Sequence, residues 1–199
     1  NLSTFKKDGE IERYIPLLMN SYRHGDGKVL VDILDIFSQK GFNVLSPYEV
    51  SKSFFFTKRD MNEVLTYDDK IDAKKSFKLL NDLSKYDNAQ SAVIINGYII
   101  AIEAAEGTDK LLSRVISIRK SLNQLKNKAG IFAKIPKKGQ SKLIDLPVIG
   151  IKTLKLVNKA NLNGIAIDPK FTIVQNKSIF LKYAQSNNLK IYNIRNSTT

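Results

Sequence analysis

Three carboxylates within seven residues mark the part of this 199-residue chain whose side chains are best suited to chemistry. Glu103, Glu106 and Asp109 fall where an apolar, strand-like run gives way to a helical pattern. Together with Asp145, they supply the hard oxygen ligands that Mg²⁺ or Mn²⁺ prefers, with water and substrate phosphate completing the shell. In the alternative, structural reading, Glu106 and Asp109 complement a helix dipole and Asp145 holds a turn. The spacing alone leaves both readings open.

The same region carries groups suited to holding a phosphate ester. We expect a helix to begin near Thr108, because a threonine hydroxyl is a good N-cap. Backbone N–H groups at a helix N-terminus attract anions. The ammonium groups of Lys134, Lys137 and Lys138 would offset further negative charge. The residues therefore predict a chemistry of carboxylates, lysines and a threonine acting on phosphate.

Several familiar kinds of site are absent from the sequence. The chain has no cysteine, which excludes disulfides and zinc–thiolate sites and suits a reducing compartment. Its one histidine, His24, excludes paired metal-binding histidines, and we expect it to be structural because it lies beside a glycine turn. No phosphate-binding loop of the Gly-x-x-x-x-Gly-Lys kind is found, and no Gly-x-Gly-x-x-Gly follows a strand.

The charge of the chain is strongly positive and unevenly distributed. The formal net charge is +13, and the segment 119–159 holds eleven lysine or arginine residues against one acid, Asp145. Such a segment attracts phosphate on nucleic acid, on anionic lipid head groups or on a phosphorylated ligand. A solvated basic face explains the charge equally well. No apolar run approaches the length of about 20 residues that spans a membrane.

The elements that must position these residues follow from hydrophobic periodicity. Asn96-Gly97 lies between two apolar runs and predicts a hairpin over 91–103, because both turn residues need positive φ. Apolar residues at helical spacing predict a helix from near Thr108 through Leu125. The remaining pattern predicts strands at 130–134, 164–167, 171–174 and 189–194, with helices at 150–160 and 178–187.

The N-terminal part of the chain is predicted to belong to a separate domain. The pattern predicts helix within residues 1–23 and over 28–39, followed by a short strand at 42–45. Residues 46–58 show no clear period, which predicts a boundary near residue 52. Strands alternating with helices favour an α/β fold, a mixed sheet with flanking helices. We therefore predict the end of a smaller α/β domain over 1–52 and a second α/β domain over 53–199.

At this level of detail the residues from Gln90 to Gly164 resemble a known family, the UDP-2,3-diacylglucosamine pyrophosphatases of the LpxI type, which act in lipid A biosynthesis. Order and spacing agree over more than half of the chain. Four motifs carry the resemblance: Glu103-Ala104-Ala105-Glu106-Gly107-Thr108-Asp109 with Arg114; Lys134-Ile135-Pro136-Lys137-Lys138-Gly139-Gln140; Asp145-Leu146-Pro147-Val148-Ile149-Gly150 with Thr153; and Asn163-Gly164-Ile165-Ala166.

The resemblance implies a hydrolase that cleaves the diphosphate of UDP-2,3-diacylglucosamine to UMP and 2,3-diacylglucosamine 1-phosphate with a divalent cation, Mg²⁺ or Mn²⁺. Residues 53–199 would be the hydrolase domain, and the front part of the family's first domain would be missing here. Asp145 is the expected catalytic acid and metal ligand, with Glu103, Glu106 and Asp109 as further ligands. The expected substrate- and phosphate-binding residues are Gly107, Thr108, Arg114, Lys134, Lys137 and Gln140.

The chain also departs from the family pattern. The family has Gln-Asp followed by an arginine before its Asp-x-Pro, and those positions here are Ser141 and Leu143. Lys138 stands where the family has a proline after the lysine. This departure keeps open an inactive relative that binds the lipid without cleaving it. A basic nucleic-acid-binding protein is the other alternative, although the segment 119–159 holds one aromatic residue, Phe132, for base stacking.

Partners and location follow from the same resemblance. A substrate with two acyl chains must be met at a bilayer, so we expect contact with an anionic membrane surface, in the cytoplasm and peripheral to the inner membrane. We expect no nucleic-acid partner, and a homodimer is a further expectation.

Overall fold

The computed structural model describes residues 9–23, 26–61, 64–86, 89–137 and 141–197. The chain forms two compact units. One, the helical unit, comprises Asn1–Ser46 with Gln140–Asp145, and the other, the sheet unit, comprises Pro47–Gly139 with Leu146–Thr199. The predicted domain limits, 1–52 and 53–199, stay a prediction about the whole protein. None of the helices in the described ranges has the length and apolar character needed to cross a membrane.

The helical unit consists mainly of two helices, α1 (Gly9–Tyr22) and α2 (Asp26–Gln39), which pack against each other. The Ser21 hydroxyl donates to the carboxylate of Asp32, and both side chains are buried. His24 lies outside the described residues.

The strand predicted at 42–45 is wrong. Gly41 ends α2 with φ +82°, and the N–H groups of Gly41 and Phe42 donate to the carbonyls of Ser38 and Phe37. This pair of bonds closes the C-terminus of a helix. The Phe42 ring packs edge-on against Phe37, with ring centroids 5.6 Å apart. The apolar residues after Gly41 therefore begin with a helix cap instead of pairing with a strand.

The sheet unit is built on a mixed five-stranded sheet with the strand order β2-β1-β3-β5-β7. The strands β1 and β2 form the predicted hairpin, with φ of 49° at Asn96 and 79° at Gly97. β3 pairs antiparallel with β1, and β3, β5 and β7 are parallel to one another. The strands are β1 (Ser91–Ile95), β2 (Tyr98–Ile102), β3 (Ile131–Lys134), β5 (Gly164–Ile167) and β7 (Lys190–Asn193).

Helices cover both faces of this sheet, which confirms the predicted α/β class with a mixed sheet and flanking helices. Side chains of α5, α6 and α7 pack on one face with Val93, Phe132 and Ile165, and α4 packs on the other with Ile131 and Ala166. The helices are α4 (Tyr67–Leu83), α5 (Thr108–Ser121), α6 (Ile151–Lys159) and α7 (Lys177–Ser186). The helix α5 ends at Ser121, so Leu122 and Leu125, which the pattern placed on it, lie beyond its end.

The remaining elements of this unit are short. A second, two-stranded sheet pairs β4 (Val148–Ile149) with β6 (Ile173–Val174). The segment before α4 holds one four-residue helix, α3 (Pro47–Val50), and two 3₁₀ turns. Phe55 and Phe56 in this segment are buried, and Phe56 packs against Phe180 of α7.

At one end of the large sheet, each of the five strands places a residue at or next to its terminus on the same face. The register places Glu103 and Lys134 on either side of Ser91, and it places Ile167 between Lys134 and Asn193. Because side chains alternate across a strand, these positions share the face that α5, α6 and α7 cover. In sheets with parallel strands, ligands bind outside the carboxyl ends of those strands. We therefore expect a ligand site at this end of the sheet.

Candidate active site

Lys134, the last residue of β3, is the centre of a polar cluster at this end of the sheet. Its side chain is buried, with 6% of the residue exposed, yet it keeps its polar partners. Its Nζ donates to Thr108 Oγ1 over 2.5 Å and lies 3.8 Å from Glu103 Oε2. Burial lowers the pKa of Lys134, and the carboxylates of Glu103 and Asp109 oppose that shift. The cluster is thus a buried cation balanced by carboxylates on two neighbouring elements.

Glu103 is oriented by two hydroxyl groups. The Thr108 hydroxyl donates to Glu103 Oε1 over 3.1 Å, and the fully buried Ser91 hydroxyl donates to Oε2. Both oxygens of this carboxylate are therefore engaged beside Lys134. Ser91 is a member of the site that the sequence analysis missed. The signal for it is the hairpin register, which sets Ser91 opposite Glu103.

The helix α5 starts differently from the prediction. Gly107, with φ +79°, is the N-cap, and Thr108 is the first helical residue. The prediction that the Thr108 hydroxyl caps the helix is wrong, because that hydroxyl is used by Glu103 and Lys134 instead. A glycine cap has no side chain to accept from the first turn. The first backbone N–H groups of α5 are therefore left for an anion.

The helix α6 also begins after a glycine, Gly150, without a side-chain cap. The two helices pack side by side, and their first turns are joined by an ion pair of 2.7 Å between Lys152 Nζ and Asp109 Oδ2. Two uncapped N-termini are thus adjacent, and the one that begins α5 contacts Lys134 through Thr108. Partial positive charge at both helix ends and a buried ammonium group form a setting that favours a phosphate or diphosphate. Lys152 is a second residue that the sequence analysis missed.

Glu106, on the loop before α5, forms an ion pair with Arg114 of α5. Arg114 Nη2 donates to Glu106 Oε1 over 2.6 Å and to the carbonyl of Ile102 over 2.8 Å. The pKa of Glu106 is lowered, chiefly by a backbone hydrogen bond and then by the Arg114 guanidinium. In this arrangement Arg114 holds the loop that carries Gly107, and its predicted contact with substrate charge stays a prediction.

The other predicted site residues fall in different places. Lys137 is half-buried, three residues beyond the end of β3. Asp145 belongs to the helical unit, where its N–H donates to the carbonyl of Ser141 over 3.1 Å. Gln140 and the motif residues Lys138 and Gly139 lie outside the described residues. Within the sheet unit, the structure brings together Glu103, Thr108, Asp109 and Lys134, all of which the sequence analysis predicted.

The candidate metal ligands can be tested against these contacts. Glu103, Glu106 and Asp109 each face a cation, namely Lys134, Arg114 and Lys152. Across the described ranges, no three acidic or histidine side chains are grouped so that they could hold a metal ion together. Mg²⁺ needs only one or two carboxylates when substrate phosphate and water fill its shell. Asp109, with a side chain 42% exposed and held by an exposed lysine, fits that requirement best.

Comparison with known proteins settles the family. Residues 58–192 match the family model described as the LpxI C-terminal domain, which covers more than half of the chain. The chain belongs to the LpxI family. The matched stretch includes every residue of the cluster around Lys134, so the site just described lies in the matched C-terminal domain.

A curated relative in the same family gives the scale of the similarity. The UDP-2,3-diacylglucosamine pyrophosphatase LpxI of Caulobacter vibrioides is 29% identical over 167 residues, which is 83% of this chain and 60% of the relative. The chain thus spans about 60% of the length of the curated relative that it matches. The family membership confirms the resemblance seen in the four motifs.

Proposed function

We propose that this protein hydrolyses the diphosphate of UDP-2,3-diacylglucosamine to UMP and 2,3-diacylglucosamine 1-phosphate, in lipid A biosynthesis. The observation that carries the proposal is the buried Lys134, joined to Thr108 and Glu103 at the uncapped N-terminus of α5, which is linked to the uncapped N-terminus of α6 by the pair Lys152–Asp109. Family membership and the activity for which the Caulobacter relative is named select this substrate from other diphosphates.

Hydrolysis of the diphosphate has two requirements. Water must attack a phosphorus, and we assign the attack to the one nearer the sugar; the bond from that phosphorus to the bridging oxygen breaks, and UMP leaves with that oxygen. The charge that develops on the phosphoryl oxygens must be stabilised by groups that are already in place. Lys134 and the first N–H groups of α5 and α6 supply fixed positive charge for this. Thr108 keeps Lys134 in position through its hydroxyl.

Asp145 and the divalent cation complete the proposal. Asp145 would orient the attacking water or bind the metal, and Asp109 would contribute a further hard oxygen. When bound, Mg²⁺ or Mn²⁺ would neutralise charge on the diphosphate. Glu103 and Glu106 stay predicted ligands, but both carboxylates already have partners: hydroxyl groups bind both oxygens of Glu103, and Arg114 binds Glu106.

The proposed surroundings are those of a peripheral enzyme. The acyl chains of the substrate require contact with a bilayer, and we propose an anionic membrane surface facing the cytoplasm, with the protein peripheral to the inner membrane. A homodimer remains an expectation. Binding to nucleic acid is less well supported, because two of the basic side chains in 119–159, Arg119 and Lys134, are buried in the sheet unit.

The direct experiment is a product assay. The purified protein is incubated with UDP-2,3-diacylglucosamine and Mg²⁺, and UMP and 2,3-diacylglucosamine 1-phosphate are measured together. We expect equal amounts of the two products, and loss of both in excess chelator with recovery on adding Mg²⁺ or Mn²⁺. Binding of the lipid without release of UMP would favour the inactive relative, and unchanged turnover in excess chelator would reject the metal.

A further inference from the structure

The helix α4 covers one face of the large sheet and carries a basic surface on its other side. Ala73 and Leu80 of this helix are buried in the core between α4 and the sheet. Exposed positions recur on the opposite side of the helix every three or four residues, which is the period of one helical face. This surface, the outer face of α4, consists of Tyr67, Lys70, Ile71, Lys74, Lys75 and Lys78.

The positive charge of this face is not neutralised by acidic side chains. Within the described ranges, no carboxylate forms an ion pair with any of its four lysines. Lys75 Nζ donates to a carbonyl oxygen, that of Gly97 at the tip of the β1–β2 hairpin. The exposed acids of α4, Asp68 and Asp82, lie near its two ends. Uncompensated positive charge along the middle of the helix therefore favours an anionic partner.

Large side chains are exposed among these lysines. Tyr67 is 78% exposed, and Ile71, one helical turn further along the same face, is 43% exposed. Tyr98, which follows Gly97 at the hairpin tip, is 76% exposed. A helix that combines lysines with exposed aromatic and aliphatic side chains is typical of a surface that lies on a bilayer. There the lysines meet anionic head groups, and the apolar side chains reach the boundary with the acyl chains.

The shape of this face favours a bilayer over nucleic acid. The helix α4 has 17 residues and is therefore about 25 Å long. Its outer face is the convex side of a single helix, which a flat bilayer can contact along its whole length. Ile71, in the middle of the lysines, would gain from contact with lipid but not from contact with a sugar–phosphate backbone.

This face lies apart from the candidate active site. Lys134 and Glu103 belong to the face of the sheet that α5, α6 and α7 cover, whereas α4 covers the opposite face. A bilayer bound to the outer face of α4 would therefore leave the end of the sheet beside Lys134 open to substrate. Changes on the outer face should also leave the chemistry of the site intact.

The basic segment 119–159, which the sequence alone marks as the place for binding phosphate groups, forms no comparable face. Arg119 and Lys134 are buried, and Lys152 is paired with Asp109. Lys155 and Lys159 are exposed on α6. The charge of this segment is thus divided among buried, paired and exposed side chains.

We propose that the outer face of α4 is the surface through which this protein binds an anionic lipid bilayer. Its lysines contact the head groups, and Tyr67 and Ile71 lie at the boundary with the acyl chains. The choice of a bilayer as the partner rests on the proposed function, whose substrate carries two acyl chains. The segment 119–159 is not the docking surface.

The first test compares two double variants in binding to phosphatidylcholine vesicles with and without phosphatidylglycerol. Lys74→Gln with Lys78→Gln removes two lysines one turn apart on α4, and Lys155→Gln with Lys159→Gln removes two at the same spacing on α6. Each lowers the formal net charge by two, from +13 to +11. At low salt, the α4 variant should bind the anionic vesicles about ten- to thirtyfold more weakly than the parent.

The α6 variant should bind the same vesicles within about threefold of the parent. Melting temperatures of both double variants should confirm that they fold. Equal weakening by the two variants would overturn the proposal, because binding would then follow net charge and not this face.

The second test locates the contact. The chain has no tryptophan, so a single introduced tryptophan reports its own surroundings. The emission of Ile71→Trp should shift to shorter wavelength on anionic vesicles. Ile179→Trp on α7, at an isoleucine that is 56% exposed, is the matched control and should show no shift. A shift in Ile179→Trp without one in Ile71→Trp would overturn the proposal.

Turnover of UDP-2,3-diacylglucosamine, dispersed in detergent or carried in vesicles, separates this inference from the proposed function. The α4 variant should turn over the dispersed substrate within about twofold of the parent, and the substrate in anionic vesicles more slowly. A parent without turnover, whose vesicle binding the α4 variant alone weakens, would support the face and reject the function. Turnover by a parent whose vesicle binding the α4 variant leaves unchanged would support the function and reject the face.

Single-stranded RNA is the probe for the alternative partner. We expect the parent to bind anionic vesicles more tightly than RNA at the same salt concentration. Tighter binding of RNA, lost in the α4 variant, would assign the face to nucleic acid and overturn the proposal.

Discussion

At the scale of single residues, the sequence identifies most of the candidate site but not the partners that orient it. Glu103, Thr108, Asp109 and Lys134 could be chosen by type and spacing, and the structure brings them together. Lys152 could not, because a lysine in a basic segment carries no signal of its own, and Ser91 is indicated only by the hairpin register that sets it opposite Glu103. Their roles depend on contacts between residues that are 12 and 43 positions apart.

Asp145 carries the first prediction at this scale. If it orients water or binds metal, Asp145→Asn should reduce turnover by about a hundredfold or more, the scale of a positioned acid or base group. Substrate binding and melting temperature should stay near those of the parent. A folded variant whose turnover stays within about threefold of the parent would reject the assigned role, and a lower melting temperature with normal activity per folded molecule would show a turn-holding aspartate.

Arg119 shows how a residue counted as surface charge can be structural. Its side chain is 2% exposed and donates to five backbone carbonyl groups, at Gln124, Asn127, Ala129, Ala160 and Asn161. Burial lowers the pKa of Arg119. The guanidinium ties the end of α5 to the loops beside β3 and β5.

Arg119→Met should therefore destabilise the protein without touching its chemistry. Leaving buried carbonyl groups without this donor should lower the free energy of unfolding by about 3 kcal/mol or more. Urea denaturation measures the change, and Lys120→Met, an exposed neighbour, is the control that should stay within about 0.5 kcal/mol of the parent. Equal stability of the two variants would contradict the structural role.

At the scale of elements, local patterns predicted what local chemistry controls. The Asn96-Gly97 hairpin and the alternation of strands with helices are confirmed, since both follow from turn geometry and periodicity. The helix caps were not predicted: Gly107 is the N-cap of α5 in place of Thr108, and Phe42 closes α2 in place of starting a strand. For α5 the long-range contact of Thr108 with Lys134 uses the hydroxyl that was predicted to cap the helix, whereas for α2 the local glycine cap ends the helix.

The segment before α4 is fastened to α7 through Asp60, and this gives a prediction with a pH dependence. Burial alone would raise the pKa of Asp60, but hydrogen bonds from Thr57 and the nearby Lys177 outweigh it, and the pKa is lowered from 3.8. A carboxylate with a lowered folded pKa adds stability above its unfolded pKa and loses it as the pH falls through the folded value.

Asp60→Asn should thus lower the free energy of unfolding by about 1 kcal/mol at pH 7. The difference between parent and variant should shrink as the pH falls below 3.8, the unfolded value. Urea denaturation at pH 7 and near pH 3 measures both quantities. A difference that is the same at the two pH values would show that the Asp60 charge adds nothing to stability.

At the scale of the whole molecule, the sequence predicted the fold class and the family, because alternation and ordered motifs extend over much of the chain. It did not predict a pocket that lies beside β5 and β7, since that cavity is lined by residues from three separate stretches of sequence. The basic residues that lie together in the sequence are also separated in the structure: Arg119 and Lys134 are buried, whereas Lys120, Lys126, Lys142 and Lys155 are exposed.

The net charge of +13 predicts how the protein meets its substrate. Basic residues near an anionic bilayer contribute about 1 kcal/mol each, and salt screens the attraction. We expect co-sedimentation with vesicles that contain anionic lipid at low salt, and release as salt is raised. Neutral vesicles of the same size are the control. Equal binding to neutral and anionic vesicles at low salt would reject electrostatic docking.

The central claim is that Lys134 stabilises charge on the diphosphate of UDP-2,3-diacylglucosamine. The measurement is the rate of UMP release from this substrate by the parent, by Lys134→Met and by Lys155→Met, with melting temperatures recorded for each. Removing a group aimed at developing charge should lower turnover by about a hundredfold or more in Lys134→Met, while Lys155→Met stays within about twofold of the parent. A folded Lys134→Met protein that releases UMP at the parent rate would contradict the account.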